Sequence, residues 1–442
     1  MLESPTSDHG VSALDRAHAQ RLAGDHDGAL QLAATLLEVT PADAGAAALV
    51  ARLLLEAGRS GRVLDASRAA LDRCVRRGDL GAAVVCAQLV GDAGGDKTLA
   101  LTEIARAFGA GSSRVADAPA LPPPIPGQAT ASAPPPSRDA LLARAERALA
   151  RFTVTGNTIP PDAPLPRLPL FGALAPAVLA KLLGVLVLRE HPTARPVLRQ
   201  GDEAQEACLL VRGVLNVVRE EPDGRSTLLA VLGPGALFGE MALVSRAPRS
   251  ASVLSVEPTQ VLAAPRAELE RLAAKEPVIG RELRRFCQQR MLANLVRHSP
   301  LLSAVEPAKR AALVARFSAQ TFAPGEVLLR QGEEGNSLFL IASGLVEIRS
   351  VDADGDSVVV AQTGPGEVVG EISLVLRRPA TADVVAVHST VALELTWGEF
   401  HDAIKEHPGL LQRLYELATQ REAETRSVVA QAALDVSDTV LL

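Results

Sequence analysis

The sequence predicts an α+β protein: an N-terminal α-helical repeat segment followed by two tandem β-rolls of jelly-roll type with flanking helices. Three observations carry this. Residues 11–112 read as helix throughout, with an internal period of 34 residues. A Pro- and Ala-rich stretch then interrupts the chain. Beyond it, adding 131 to a residue number converts one copy of a long repeat into the other without a gap. With 442 residues the chain is too long for one compact domain and suggests about three.

In the helical segment, Ala17, Gly24 and Leu30 recur as Ala51, Gly58 and Leu64. Small residues at these places let antiparallel helices approach closely, and the period is the one expected for tetratricopeptide helix pairs, which the segment resembles. Ala29 and Pro41 fit that pattern, but their partners Val63 and Val75 do not, and a third unit near 78–110 is degenerate. An unrelated helical bundle with a chance period is the alternative. Residues 113–164 read as a linker. They begin with an extended Pro/Ala/Ser-rich spacer, "SRVADAPALPPPIPGQATASAPPP", of the kind that separates domains. One short amphipathic helix follows, with Ser137 as its N-cap, and then a second Pro-rich stretch. The spacer is expected to hold the helical segment clear of the barrels.

The 131-residue repeat places one domain at 165–297 and a second at 298–442. Gly201 answers to Gly332, Gly213 to Gly344, Asp223-Gly224 to Asp354-Gly355, and Gly233-Pro234-Gly235 to Gly364-Pro365-Gly366. Between these glycines lie short β-branched and apolar runs such as "ACLLVRGVLNVVRE" and "SLFLIASGLVEIRS". Short strands with Gly or Asp-Gly turns at regular spacing argue for an antiparallel barrel or jelly roll. Helical sequence precedes and follows each copy. After the first, Ile279, Leu283, Phe286 and Cys287 fall on one stripe at helical spacing.

Composition narrows the function. A net charge of -6 and a pI near 5.8 give no electrostatic footprint for nucleic acid, and the tail after the second copy has too little basic sequence for a DNA-reading helix-turn-helix. The start, "MLESPTSDHG", is no signal peptide. The stretch Leu168 to Leu188 is long and almost uncharged, but it holds two prolines, two glycines and a lysine. A buried helix is the better reading, so no membrane association and a cytoplasmic location are expected. Four scattered cysteines without a CxxC pair read as buried apolar residues, not disulfides or zinc ligands. No metal site, HExxH spacing or Ser/His/Asp set stands out, and the chain is expected not to be an enzyme.

The chemistry lies in one repeated stretch. "FGEMALVSRAPRSASV" (238–253) and "VGEISLVLRRPATADV" (369–384) are identical at eight of sixteen positions. In the first, Gly239 permits close backbone approach, and Glu240, Met241 and Ala242 can open a short helix whose free N–H groups suit an anion. Arg249 adds a fork of donors matched to phosphate oxygens. Glu240 carries the wrong sign for a phosphate and suits a sugar hydroxyl. Ser250 and Ser252 can donate to remaining oxygens or to a base edge. An anion, a sugar hydroxyl and a base together describe a nucleotide.

This stretch resembles the phosphate-binding cassette of cyclic nucleotide-binding domains, F-G-E-[LIM]-A-L, a short interval, then P-R-x-A-[ST]-V. Phe238 to Leu243, Pro248, Arg249, Ala251, Ser252 and Val253 all match. The resemblance implies that Glu240 binds the ribose 2′-hydroxyl and Arg249 the cyclic phosphate, with Ser252 beside base and phosphate. It also implies a helix after the barrel that closes over the base. Ser250 tilts the ligand toward cAMP over cGMP.

The second copy is a degenerate site: Gly370 and Glu371 remain, but Ala380 stands in the arginine's place, Thr381 in that of Ser250 and Asp383 in that of Ser252. Losing a hydrogen bond to a charged group forfeits about 1.5–3 kcal/mol, over tenfold in affinity. Asp383 is expected to set a carboxylate where the phosphate should lie, and Arg377 and Arg378 are read as solvated loop residues. The chain therefore reads as a cytoplasmic cyclic-nucleotide receptor, binding in its first β-roll and signalling to a protein partner through its N-terminal repeats. The alternative is a ligand-free scaffold.

Overall fold

The computed structural model describes residues 12–116, 137–220, 224–241, 248–351 and 357–439. They divide into two compact units, one of residues 1–240 and 249–283, the other of residues 241–248 and 284–442.

The first unit begins with three helix pairs: α1 (Ala13–Leu22) with α2 (His26–Val39), α3 (Ala44–Glu56) with α4 (Val63–Arg77), and α5 (Leu80–Asp92) with α6 (Lys97–Phe108). The period of 34 is visible in their packing. Ala17 and Ala51 are fully buried, and the two turns between paired helices pass through Gly24 and Gly58, both at positive φ. Side-chain carboxylates start four of these helices: Asp25, Asp43, Asp79 and Asp96 each accept a backbone N–H of the first turn, satisfying donors a helix leaves open.

Two contacts overturn the expected spacing. The helix predicted from Ser137 forms as α7 (Arg138–Val154), with Ser137 as its cap, but it packs back across α2, α3 and α4. Arg144 holds Glu38 at 2.6 Å, and Arg73 lies over the Phe152 ring at 3.6 Å while bonding Phe152 O. The helical segment also does not stand clear of the first barrel. Val211 packs against Gly81, where a Cβ would come within 3.2 Å. Asp15 pairs with Arg212, and Arg21 with Glu190 at 2.7 Å. Gln88 donates to Leu186 O. Apolar contact plus half-buried ion pairs outweigh the freedom of a Pro-rich spacer. A parallel two-residue pair, β1 (Val115–Ala116) with β2 (Leu165–Pro166), ties the far end of the linker to its near end. Most of the spacer, 117–136, lies outside the described residues.

The apolar stretch 168–188 is no single helix: a 3₁₀ turn (Phe171–Ala173), α8 (Pro176–Gly184) and the start of β3 (Val187–His191) share it. Among the described residues, no helix is long and apolar enough to cross a membrane. The first barrel adds β4 (Pro196–Leu198), β5 (Glu206–Arg212), β6 (Leu215–Glu220), β7 (Ser226–Leu232), β8 (Leu237–Phe238), β9 (Ser252–Ser255) and β10 (Thr259–Pro265). They form two four-stranded sheets, β3-β10-β5-β8 and β4-β9-β6-β7. Cys208, Leu210, Leu215, Phe238, Val253, Val261 and Ala263 fill the space between.

In the second unit the strands are β11 (Ser318–Phe322), β12 (Val327–Leu329), β13 (Ser337–Ser343), β14 (Val346–Val351), β15 (Ser357–Thr363), β16 (Val368–Val369), β17 (Asp383–Ala386) and β18 (Thr390–Thr396). Every one starts and ends 131 residues after its counterpart, and the sheets repeat the order β11-β18-β13-β16 and β12-β17-β14-β15. The helices Trp397–Glu406 and Pro408–Thr439 close this domain. Leu410 and Leu414 bury against the same core as Leu302, Leu338 and Phe400. All four cysteines are free and buried.

Candidate functional site

The first cassette begins at the end of β8. Phe238 pairs with Cys208 of β5 and sinks into the core, which brings the chain to the sheet edge with Gly239 at φ 72°. A Cβ on Gly239 would lie 2.8 Å from Arg249 Nη1, so glycine is required by conformation and by space. Glu240 follows at 4% exposure, and Met241 is half-buried beside it. Ala242, and with it most of the predicted short helix, lies outside the described residues. The equivalent stretch of the second copy is a six-residue helix, Glu371–Leu376.

Arg249 is 8% exposed. Its backbone is pinned by Arg249 N to Asp202 O and by Gly201 N to Arg249 O, both 2.9 Å. Its guanidinium donates from Nη1 to Gly239 O at 2.8 Å and from Nη2 to Glu206 O at 2.6 Å. Burial lowers its pKa from the ordinary arginine value, with carboxylates including Glu206 and Glu240 opposing the shift. Arginine stays a cation through such shifts. The structure therefore joins Gly239 and Arg249 directly and keeps Glu240 in the same buried turn.

The serines separate. Ser250 is exposed, whereas Ser252 is buried and its Oγ accepts from Gln200 N at 3.0 Å. That bond is structural, and the second copy shows why: Asp383 Oδ1 accepts from Gln331 N at 2.7 Å, the same amide 131 residues on. Asp383 thus caps a backbone donor in the way Ser252 does, where the sequence suggested a carboxylate set against a phosphate.

Around the second cassette the backbone is unchanged. Ala380 N bonds Glu333 O at 2.9 Å and Gly332 N bonds Ala380 O at 2.8 Å; Gly370 has φ 86°. What differs is the space the missing side chain leaves. Ala380 borders two cavities of about 270 and 260 Å³, the larger also lined by Gly370, Glu371 and Thr381. Neither loop arginine enters it. Both are exposed, as solvated loop residues should be: Arg377 lies 4.9 Å over the Trp397 ring, and Arg378 pairs with Glu422 at 2.9 Å.

Sequence reading missed Glu206, Gln200 and Arg421. Glu206 lends its carbonyl to Arg249, and any residue type provides a carbonyl, so no signal existed. Arg421 donates to Glu371 from the helix Pro408–Thr439; its charge read as part of a solvated helical tail. The predicted stripe lies on the helix Pro277–His298, with Ile279 and Cys287 buried and Leu283 and Phe286 half-buried.

Comparison with known proteins bears on the same two regions. Residues 188–276 and 319–407 each match the cyclic nucleotide-binding domain family. The regulatory subunit of cAMP-dependent protein kinase from Hypocrea atroviridis is 28% identical over 263 residues, covering 58% of this chain and 54% of that protein. That from Emericella nidulans is 30% identical over 197 residues, covering 43% and 45%. The chain spans about half the length of these curated relatives. Among solved structures, the regulatory domain of Toxoplasma gondii PKA, crystallised with cAMP, shares 22% identity over 57% of this chain and 92% of that one, with a TM-score of 0.27. Residues 188–276 and 319–407 are thus two tandem cyclic nucleotide-binding domains, preceded by the helices α1–α6.

Proposed function

We propose that this chain, with its two tandem cyclic nucleotide-binding domains, is a cyclic-nucleotide receptor that binds one ligand, in the first domain. The observation that carries the reading is the Arg249 guanidinium, held in the buried turn by Gly239 O and Glu206 O. Those bonds use two of its five donors and fix its plane, leaving a cation oriented before any ligand arrives. Glu240, in the same turn, is the acceptor for a ribose hydroxyl. cAMP is the favoured ligand, since Ser250 replaces the threonine that marks cGMP sites in the family. Binding needs no bond making, so the role is regulatory and not catalytic.

The output is a protein contact made through the helical segment. Strand β5 supports this: Glu206, at one end, anchors Arg249, while Val211 and Arg212, at the other, meet Gly81 and Asp15. Any shift of Arg249 toward a phosphate is felt on a strand that also carries the helices.

Calorimetry of the full chain tests the reading. Wild type is expected to bind cAMP more tightly than cGMP, and Arg249→Ala to lose at least tenfold in affinity, as loss of a charge-assisted hydrogen bond worth about 1.5–3 kcal/mol requires. An unchanged dissociation constant would leave Arg249 a structural residue and the domain a scaffold.

A further inference from the structure

The second domain carries a buried carboxylate at the position of the proposed ribose acceptor, and the chain itself satisfies it. Glu371 is 2% exposed. A buried carboxylate without partners is strongly unfavourable, and here the partner comes from the helix Pro408–Thr439. Arg421 Nη1 donates to Glu371 Oε1 at 3.2 Å and to Val368 O, and Nη2 donates to Glu367 Oε2 at 2.9 Å. Two turns of the same helix line the larger cavity with Arg421, Glu424, Thr425 and Val428. A second strap, Glu422 to Arg378, joins them to the cassette loop.

We propose that Arg421 is a built-in substitute for a ligand: it gives Glu371 the hydrogen bonds that a ligand hydroxyl would give, and so latches the C-terminal helix over an empty cassette. The second domain is closed without a nucleotide. Two of its parts are specific to this copy. Subtracting 131 turns Glu367 into Ala236 and Glu422 into Met291, so the first copy has neither the second carboxylate nor the strap. Arg290, the counterpart of Arg421, lies 6.0 Å over the Phe286 ring. Where the second cassette lacks its arginine, Glu367 joins Glu371 in holding an arginine on the helix.

The inference does not rest on ligand binding by the first domain, and hydrogen exchange on the full chain tests it. In Arg421→Ala, amides of 413–428 are expected to exchange at least tenfold faster, while those of 397–406, in the preceding helix, stay as in wild type and report that the domain is folded. Glu371→Gln, nearly isosteric, should speed the same amides by a smaller factor. In an Arg249→Ala chain, cAMP at 1 mM should leave exchange at 413–428 unchanged. Unaltered exchange at 413–428 in both latch variants would overturn the proposal, as would protection of that segment by cAMP in the Arg249→Ala chain.

Discussion

The two β-rolls share strand boundaries, sheet order and the backbone bonds of their cassettes, yet one presents an arginine where the other presents a methyl group. Arg249 N and Ala380 N bond carbonyls 131 residues apart, and Ser252 and Asp383 cap equivalent amides. The scaffold that positions the residue is thus independent of the residue's chemistry. A fold held by glycine turns and a core between two sheets keeps its frame with either arginine or alanine at this position.

The largest expected effect separates the domains by stoichiometry. Calorimetric titration of the full chain should give one nucleotide per chain, and a value of two would erase the distinction. Next comes Gly239→Ala, which forces a Cβ into a left-handed backbone position at about 1–2 kcal/mol and against Arg249 Nη1. Denaturant midpoints should report that loss, accompanied by weaker nucleotide binding. Smaller still, Ser252→Ala removes the acceptor of Gln200 N and should lower stability by about 1 kcal/mol. Asp383→Ser, which keeps an acceptor for Gln331 N, should stay within about 0.5 kcal/mol of wild type. If Asp383→Ser matched the loss of Asp383→Ala, the two caps would not be equivalent.

The mildest effect concerns pH and belongs to the first unit alone. Burial, then repulsion from Arg212, Arg21 and Arg52, holds the His18 pKa well below its ordinary 6.5. The unfolded chain therefore takes up that proton more readily. The stability His18 contributes is complete above about pH 6.5 and is lost as pH falls below it. At Glu190 burial raises the pKa, but hydrogen bonds from Gln260 and Arg21 outweigh it and leave it lowered from 4.5, which adds a loss of the same sign at lower pH. Thermal unfolding from pH 7.5 to 5.5 should show a decline that His18→Asn flattens.

Much of the fold was legible because glycines and short apolar runs recur at one fixed interval, but the strand order within the sheets, which sets β3 beside β10 and β4 beside β9, was not. The helix pairs were legible for the same reason, through Ala17, Gly24 and their echoes. The docking of α7 and of the helices on β5 was not. It depends on single long-range contacts, Arg73 with Phe152 or Asp15 with Arg212, that leave no period. At the site, residue types disclosed the arginine of the first cassette and its replacement by Ala380 in the second, but not what Ser252 binds, since Gln200 lies fifty-two positions away. The helix arginine that meets Glu371 was hidden similarly, among charges that look like solvent-facing decoration.

The β1–β2 pair and the packing of α7 give the linker a different mechanical meaning. Ala116 and Ser137, the described residues that flank 117–136, belong to one body: β1 is paired with β2, and α7, which Ser137 caps, lies across α2–α4. A cut between them therefore severs the covalent chain without freeing either piece. Limited proteolysis within 117–136 should yield two bands on a denaturing gel and a single peak of undiminished size on gel filtration.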